Sequence, residues 1–133
     1  RRRKCTSIWT EVFPLSTLDD VKDALASVDA NVFYGAACGL PDGAPWNYTV
    51  FSRDTSAPKD NLTGFSHRYT VAVIREDYVP EGTDVEVIEA ICRIPGMRLD
   101  RSRDIEYRYS VKQGSVRTVV EMMLIRFVKA VRL

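Results

Sequence analysis

The chain offers little raw material for catalysis. Of its 133 residues, one is histidine and three are cysteine. General acid–base work needs a titratable side chain placed against a reacting group, and His67 is the only side chain whose ordinary pKa lies near neutrality. It sits on the apolar-aromatic side of an alternating stretch, where a partly buried, hydrogen-bonded histidine outweighs a general base. Cys5, Cys38 and Cys92 are odd in number and show no C-x-x-C spacing, so neither a disulfide framework nor a zinc site is expected and a reducing compartment fits. A dyad of Cys38 with His67 stays open, because Cys38 lies in a glycine-containing loop, whereas Cys92 reads as a core residue at a helix end. The carboxylates Asp54, Asp60, Asp100 and Asp104 lack the spacing of a calcium loop, so no metal is expected. Gly35, Gly39 and Gly43 precede a strand rather than a helix, and no Gly-Lys-Ser or Gly-Lys-Thr follows, which excludes a phosphate cradle. No cofactor and no enzymatic activity are expected.

An excess of one charge is also missing. Nineteen basic residues against eighteen acidic ones leave a net charge of +1, so no global field would hold a polyanion or an anionic membrane. The one concentrated charge, Arg1-Arg2-Arg3-Lys4, reads as a flexible basic segment over residues 1–6. Ser7 to Phe13 carries Glu11 and is too short and polar for a signal-peptide apolar core. No run approaches the roughly 20 apolar residues of a membrane span.

What is present is enough for a folded unit: 45% hydrophobic and 28% charged residues are values of a globular chain. Residues 7–133 are read as a single α+β domain. Ser16 and Thr17 offer caps, Asp19 and Asp20 fall in a first turn, and Leu18, Val21, Leu25 and Val28 recur at helical spacing, which predicts a helix from Thr17 to about Ser27. The acids Asp19, Asp20 and Asp23 are that helix's start and wet side rather than an acid pair. Val32-Phe33-Tyr34 reads as a short strand closed by Gly35, and the glycine- and proline-rich stretch to Pro45 as a loop. Trp46 to Phe51 predicts a second strand, followed by a polar connection from Asp54 to Gly64.

Phe65 to Ile74 alternates most clearly, with Phe65, His67, Tyr69, Val71 and Val73 on one side. A second helix follows Pro80-Glu81-Gly82, with Thr83 and Glu86 as a capping box and Val85, Ile88, Ile91 and Cys92 as its apolar side. Pro95-Gly96 stops it, and Met97-Arg98-Leu99 suits a short edge strand. Ile105, Tyr107, Tyr109 and Val111 alternate with polar residues in the first arm of a hairpin turning at Gln113-Gly114-Ser115. The second arm, Val116 to about Val128, is apolar on both sides as a central strand would be, with a helix as the rival reading. The sum is a mostly antiparallel sheet of about five strands with two helices packed on one face.

Function then falls by elimination to exposed connections: Ala36 to Pro45, Arg53 to Thr63, and Arg98 to Asp104. Arg53, Lys59, Asp60, Arg98, Arg101 and Arg103 are the candidate interface residues, mixed-sign charges suited to fixing register between subunits. Tyr69, Tyr107 and Tyr109 with Arg68 and Arg108 admit a base-stacking sheet, a small RNA- or ligand-binding module. A core-facing role for these tyrosines outweighs it, and sequence-specific nucleic-acid binding is not expected.

Leu18-Asp19-Asp20-Val21, Val32-Phe33-Tyr34-Gly35, Trp46-Asn47-Tyr48-Thr49-Val50-Phe51 and the capped second helix, taken in that order, resemble a bacteriophage tail-terminator or tail-completion protein. The likeness is one of element order and residue texture from about Ser7 to Val128, not of an invariant motif. It implies a virion structural subunit, assembled in the bacterial host cytoplasm, forming a homo-oligomeric ring, commonly a hexamer, at the head-proximal end of the tail tube. Its implied partners are further copies of itself, the tail-tube protein and the head connector or adaptor proteins. A head-completion or adaptor protein of the connector is the alternative within the same class.

Overall fold

Two long strands form the spine of the structure, a computed structural model that describes residues 16–58, 64–112, 114 and 117–132. Strand β3 (Gly64–Glu76) pairs antiparallel with β6 (Val119–Arg132) from Gly64 opposite Arg132 to Glu76 opposite Val120. Around this pair stand helix α1 (Thr17–Ala26), strands β1 (Val32–Tyr34) and β2 (Tyr48–Pro58), helix α2 (Thr83–Cys92), and strands β4 (Met97–Leu99) and β5 (Glu106–Val111). The sheet runs β1-β2-β3-β6-β4, with β5 also on β6. Only β1 is parallel to its neighbour. Strands β4 and β5 share one edge of β6, opposite Phe127–Lys129 and Val119–Leu124 respectively, so residues 100–105 interrupt what is otherwise one outer strand. The fold is α+β, with two helices and six strands among the described residues, the strands in a mostly antiparallel sheet.

The pairing register decides which side chains meet the helices. Tyr69, Val71 and Val73 of β3 stand opposite Phe127, Ile125 and Met123 of β6, and Phe51 of β2 opposite Val71. Because side chains alternate along a strand, these residues share one face and form the core with Val21 and Leu25 of α1 and Val87 and Ile91 of α2. Leu25, Val71, Val87, Ile125 and Phe127 are wholly buried. Each such side chain contributes about 1.5–3 kcal/mol of transfer free energy. At one end of the spine the backbones approach so closely that a side chain at Gly64 would collide with the Val131 carbonyl oxygen.

Helix α1 starts as its sequence dictates: Asp19 N–H donates to Ser16 Oγ at 3.2 Å, and two acids in the first turn oppose the helix dipole. The chain leaving it is held by Asp29. One Asp29 oxygen accepts from Arg75 Nη2 at 2.9 Å and from Thr49 Oγ1 at 2.7 Å, and the other from Asn31 N–H at 3.0 Å. Arg75 also donates to the carbonyls of Tyr48 and Ile74. This buried cluster ties the exit of α1 to β2 and β3 and sets β1 beside β2.

Several expectations need correction. Strand β2 does not end at Phe51 but continues to Pro58, across the stretch read as a polar connection. Its second half pairs with the start of β3 through a bulge between Arg53 and Ser56, and a bulge tolerates the polar Asp54 and Thr55 that disguised it. Helix α2 has no capping box: Gly82 is its N-cap at φ 91°, without a side-chain cap, and Thr83 is buried inside the first turn. Its buried stripe is Thr83, Val87, Ala90 and Ile91. Val85 and Cys92, expected in the core, are exposed. The final arm is a strand throughout, from Val119 to Arg132, which removes the helix reading.

Candidate assembly surface

His67 is partly buried and hydrogen-bonded, as expected: its Nδ1 lies 2.7 Å from Ser56 Oγ and its ring stacks on Phe65. Ser56 and His67 are direct cross-strand partners, so the register of the sheet accounts for the contact. With Arg53, Tyr69 and the start of α1 they line a cavity of about 350 Å³. Cys38 belongs to the opposite end of the sheet, in the loop where Ala37 gathers with Trp46 and Tyr48, and Tyr48 pairs with Ile74. Seven residue steps along β3 separate Ile74 from His67, roughly 20 Å of strand, so Cys38 and His67 do not form a dyad. Among the described residues no three His, Cys, Asp or Glu side chains gather as metal ligands.

The candidate interface arginines spread over both faces. Arg53 is exposed on the helix side of β2, at the bulge beside the His67 cavity. Arg98 is exposed on β4 opposite Val128, and Arg101 is exposed in the following turn. Arg103 reaches Asp54 of β2, with Nη1 2.8 Å from the carboxylate. Lys59 and Asp60 lie outside the described residues. The turn between β4 and β5 is pinned from within. Asp100 is buried and accepts from Ser102 N–H at 3.1 Å and Ser102 Oγ at 2.6 Å, while its own N–H donates to the Arg126 carbonyl at 2.9 Å. The Ser102 hydroxyl, helped by the Arg68 and Arg103 charges, holds the Asp100 carboxyl below the usual carboxylate range. Arg126 donates to Glu106, and with Arg108 it keeps that carboxyl low as well. The loop from Ala36 to Pro45 is likewise anchored. Lys112 Nζ donates to Glu76 at 2.7 Å, reaches the Ala44 carbonyl at 3.4 Å and lies over the Trp46 ring.

The surface that sequence reasoning missed is β5. Tyr107, Tyr109 and Val111 were expected to face the core, and they do point to the helix side of the sheet, opposite Met123, Glu121 and Val119. Yet they are 48%, 65% and 57% exposed, because neither of the described helices reaches over them. The core-facing expectation is corrected for both tyrosines, whereas Tyr69 is buried. Exposed Val119 pairs with Val111, and the chain leaving β3 brings Tyr78 alongside through the bond from Asp77 N–H to the Val119 carbonyl (2.7 Å). Six of the seven large apolar side chains most exposed among the described residues are Tyr78, Val85, Tyr107, Tyr109, Val111 and Val119. Five belong to β5 and the strand ends beside it, and Val85 lies in the first turn of α2. Buried Glu121 underlies them: its Oε1 accepts from Val79 N–H at 2.6 Å, and its bond to Tyr109 raises that phenol's pKa. Partial burial raises Tyr107, with Asp84 and Glu121 adding to it. The available signal was positional, since the first arm of a hairpin whose second arm is central lies at the sheet edge.

Comparison with known proteins returned no matching family model and no matching curated protein. The chain is similar to a chain in a solved structure described as "Virion of native gene transfer agent (GTA) particle", at 16% identity and a TM-score of 0.43, covering 86% of this chain and 91% of that one. A likeness at that level fixes neither family nor function.

Proposed function

We propose that the chain is a structural subunit of a phage-like virion, a tail terminator or tail-completion protein. In this reading copies of it form a ring, commonly of six, at the head-proximal end of the tail tube and join the tube to the head connector. The observation that carries the reading is β5: a six-residue edge strand whose outer edge no described residue pairs, flanked by exposed Tyr107, Tyr109 and Val111. Folded proteins blunt edges that do not meet a partner, and β5 is neither shortened nor bulged, and no described helix covers it. The likeness of element order supports the same reading. A head-to-tail contact that uses the β5 edge on one copy and a different patch on the next repeats until rotation closes it into a ring. Arg53, Arg98, Arg101 and Arg103 would then supply the polar rim of the ring and tube contacts, and Lys59 and Asp60, which lie outside the described residues, would add to it by their charge. Catalysis has no part in the proposal.

Tail tubes mixed with the chain and imaged by electron microscopy test it. The expected result is added density at one end of each tube. Decoration along the tube wall, or bare tube ends at saturating chain, would defeat the proposal.

The exposure of Tyr107 and Tyr109 favours one other reading, a platform that stacks single-stranded RNA bases. The surrounding charge opposes it, because Glu121 and Asp84 border the tyrosines and Arg108 points to the opposite face of the strand. Salt-sensitive RNA binding lost in Tyr107→Ala would favour the platform over the ring.

A further inference from the structure

The outer edge of β5 has a fixed phase. Lys112 N–H donates to the Thr118 carbonyl at 2.8 Å, so Lys112, Ser110, Arg108 and Glu106 turn their backbone groups toward β6. Tyr107, Tyr109 and Val111 therefore turn their N–H and C=O groups outward, where no described residue pairs with them. These are the same three residues whose side chains are half exposed on the helix side. Main-chain groups and apolar side chains are thus offered together along one line, as in surfaces that accept an added strand.

We infer that the occupant is a second copy of this chain, its β5 antiparallel to the first about a two-fold axis at Tyr109. Outward backbone groups can meet only outward groups, which leaves few registers. Centring on Arg108 puts two guanidinium groups opposite each other and sets Val111 against Ile105, before the start of the strand. Centring on Ser110 opposes Arg108 to Lys112, again like charges, and centring on Tyr107 runs off the start of the strand at Ile105. Centring on Tyr109 uses the whole strand: Glu106 meets the second copy's Lys112, Tyr107 its Val111, Arg108 its Ser110, and Tyr109 its own counterpart. The sequence Glu106-Tyr107-Arg108-Tyr109-Ser110-Val111-Lys112 is complementary to itself in that register, opposite charges on one face and apolar groups on the other. Three outward pairs exchange about six main-chain hydrogen bonds.

The Glu106 and Lys112 charges already have partners in Arg126 and Glu76, so the cross-copy pairs extend an alternating network rather than neutralise free ions. Each tyrosine leaves on the order of 100 Å² to bury, which puts the contact at the small end of specific interfaces and makes it concentration-dependent. This two-fold pairing occupies the edge that ring closure would use, so it is the form of the unassembled chain. It rests on the geometry of β5 alone and stands whether or not the tail reading does.

Disulfide trapping tests the register. In a background carrying Cys5→Ser, Cys38→Ser and Cys92→Ser, Tyr109→Cys places two thiols on residues directly opposite each other. Their Cα atoms are about 5.5 Å apart, within disulfide reach. Tyr107→Cys leaves its thiols about 13 Å apart. Under mild oxidation Tyr109→Cys is expected to form covalent dimer at least tenfold faster than Tyr107→Cys. Sedimentation of the unmodified chain over a concentration series should show a monomer–dimer equilibrium that Tyr109→Lys shifts to monomer with an unchanged far-ultraviolet circular dichroism spectrum. A chain that stays monomeric while Tyr109→Cys cross-links no faster than Tyr107→Cys overturns the pairing. So does faster trapping at position 107. Either failure leaves the tube-end experiment untouched.

Discussion

Removing the Asp29 carboxylate should be among the most damaging single changes outside the apolar core. Asp29 and Arg75 keep only 8% and 18% of their side-chain surface exposed, with Oδ2 and Nη2 2.9 Å apart. Asp29→Ala deletes that pair, takes the acceptor from the Thr49 hydroxyl, which is 1% exposed, and strands a guanidinium against the Tyr48 and Ile74 carbonyls. Breaking a buried pair from one side costs about 3–5 kcal/mol, because the remaining charge is uncompensated. Against a total stability of about 5–15 kcal/mol, the loss is a large fraction. With a urea slope of about 2 kcal/mol per molar, the unfolding midpoint should fall by roughly 2 M. The assay is urea denaturation followed by circular dichroism, with Asp29→Ala, Arg75→Met and the double variant in parallel. Because Arg75→Met removes the stranded charge, the double variant should recover at least half of the loss. A cost for Asp29→Ala below about 1 kcal/mol, or a double variant no better than the single, would refute the reasoning.

Two further outcomes follow from the same structure. Val87→Ala should cost about 2 kcal/mol and Val85→Ala less than about 0.5, since the first is fully buried and the second half exposed; equal costs in thermal denaturation would restore the apolar side expected for α2. The folded-state pKa values of Glu76, Asp100 and Glu106 all lie below their ordinary values, Glu76 held by Lys112 and by the Trp46 N–H. The unfolded chain therefore takes up protons first. The stability these groups contribute is complete above the ordinary carboxylate range, begins to fall as pH drops through about 4, and is gone below the folded values. Stability curves from pH 7 to pH 2 should show this acid limb, and Asp100→Asn should flatten it; an unchanged limb in the variant would remove Asp100 from the cause.

Local signals were the legible ones. Ser16, Asp19, Val21 and Leu25 specify α1 within ten residues of one another, and the alternation of β3 names its buried side because helices cover that side. Where a partner lies far along the chain, the signal fades. The second half of β2 is polar and becomes a strand only because Ser66 and His67 stand beside it. Asp29 and Arg75 are 46 residues apart, and nothing in either neighbourhood marks them as a pair. Helix α2 shows the limit of periodicity: Val85, Val87, Ile88, Ile91 and Cys92 admit two apolar sides, and the sheet beneath selects Val87 over Val85. Tyr107 and Tyr109 show another, since alternation tells which side chains share a face and not whether anything covers it. Of the candidate interface residues, charge and loop position pointed to Arg103, while its engagement with Asp54 depends on a bulge the sequence conceals.

The proposed function makes this chain a built-in part of a particle. Quantitative peptide mass spectrometry of purified particles, from cells that express it, tests that most directly. The account predicts its peptides in the tail-bearing fraction at a fixed ratio to the other structural proteins. Peptides confined to the soluble extract, with none in the particles, would contradict it.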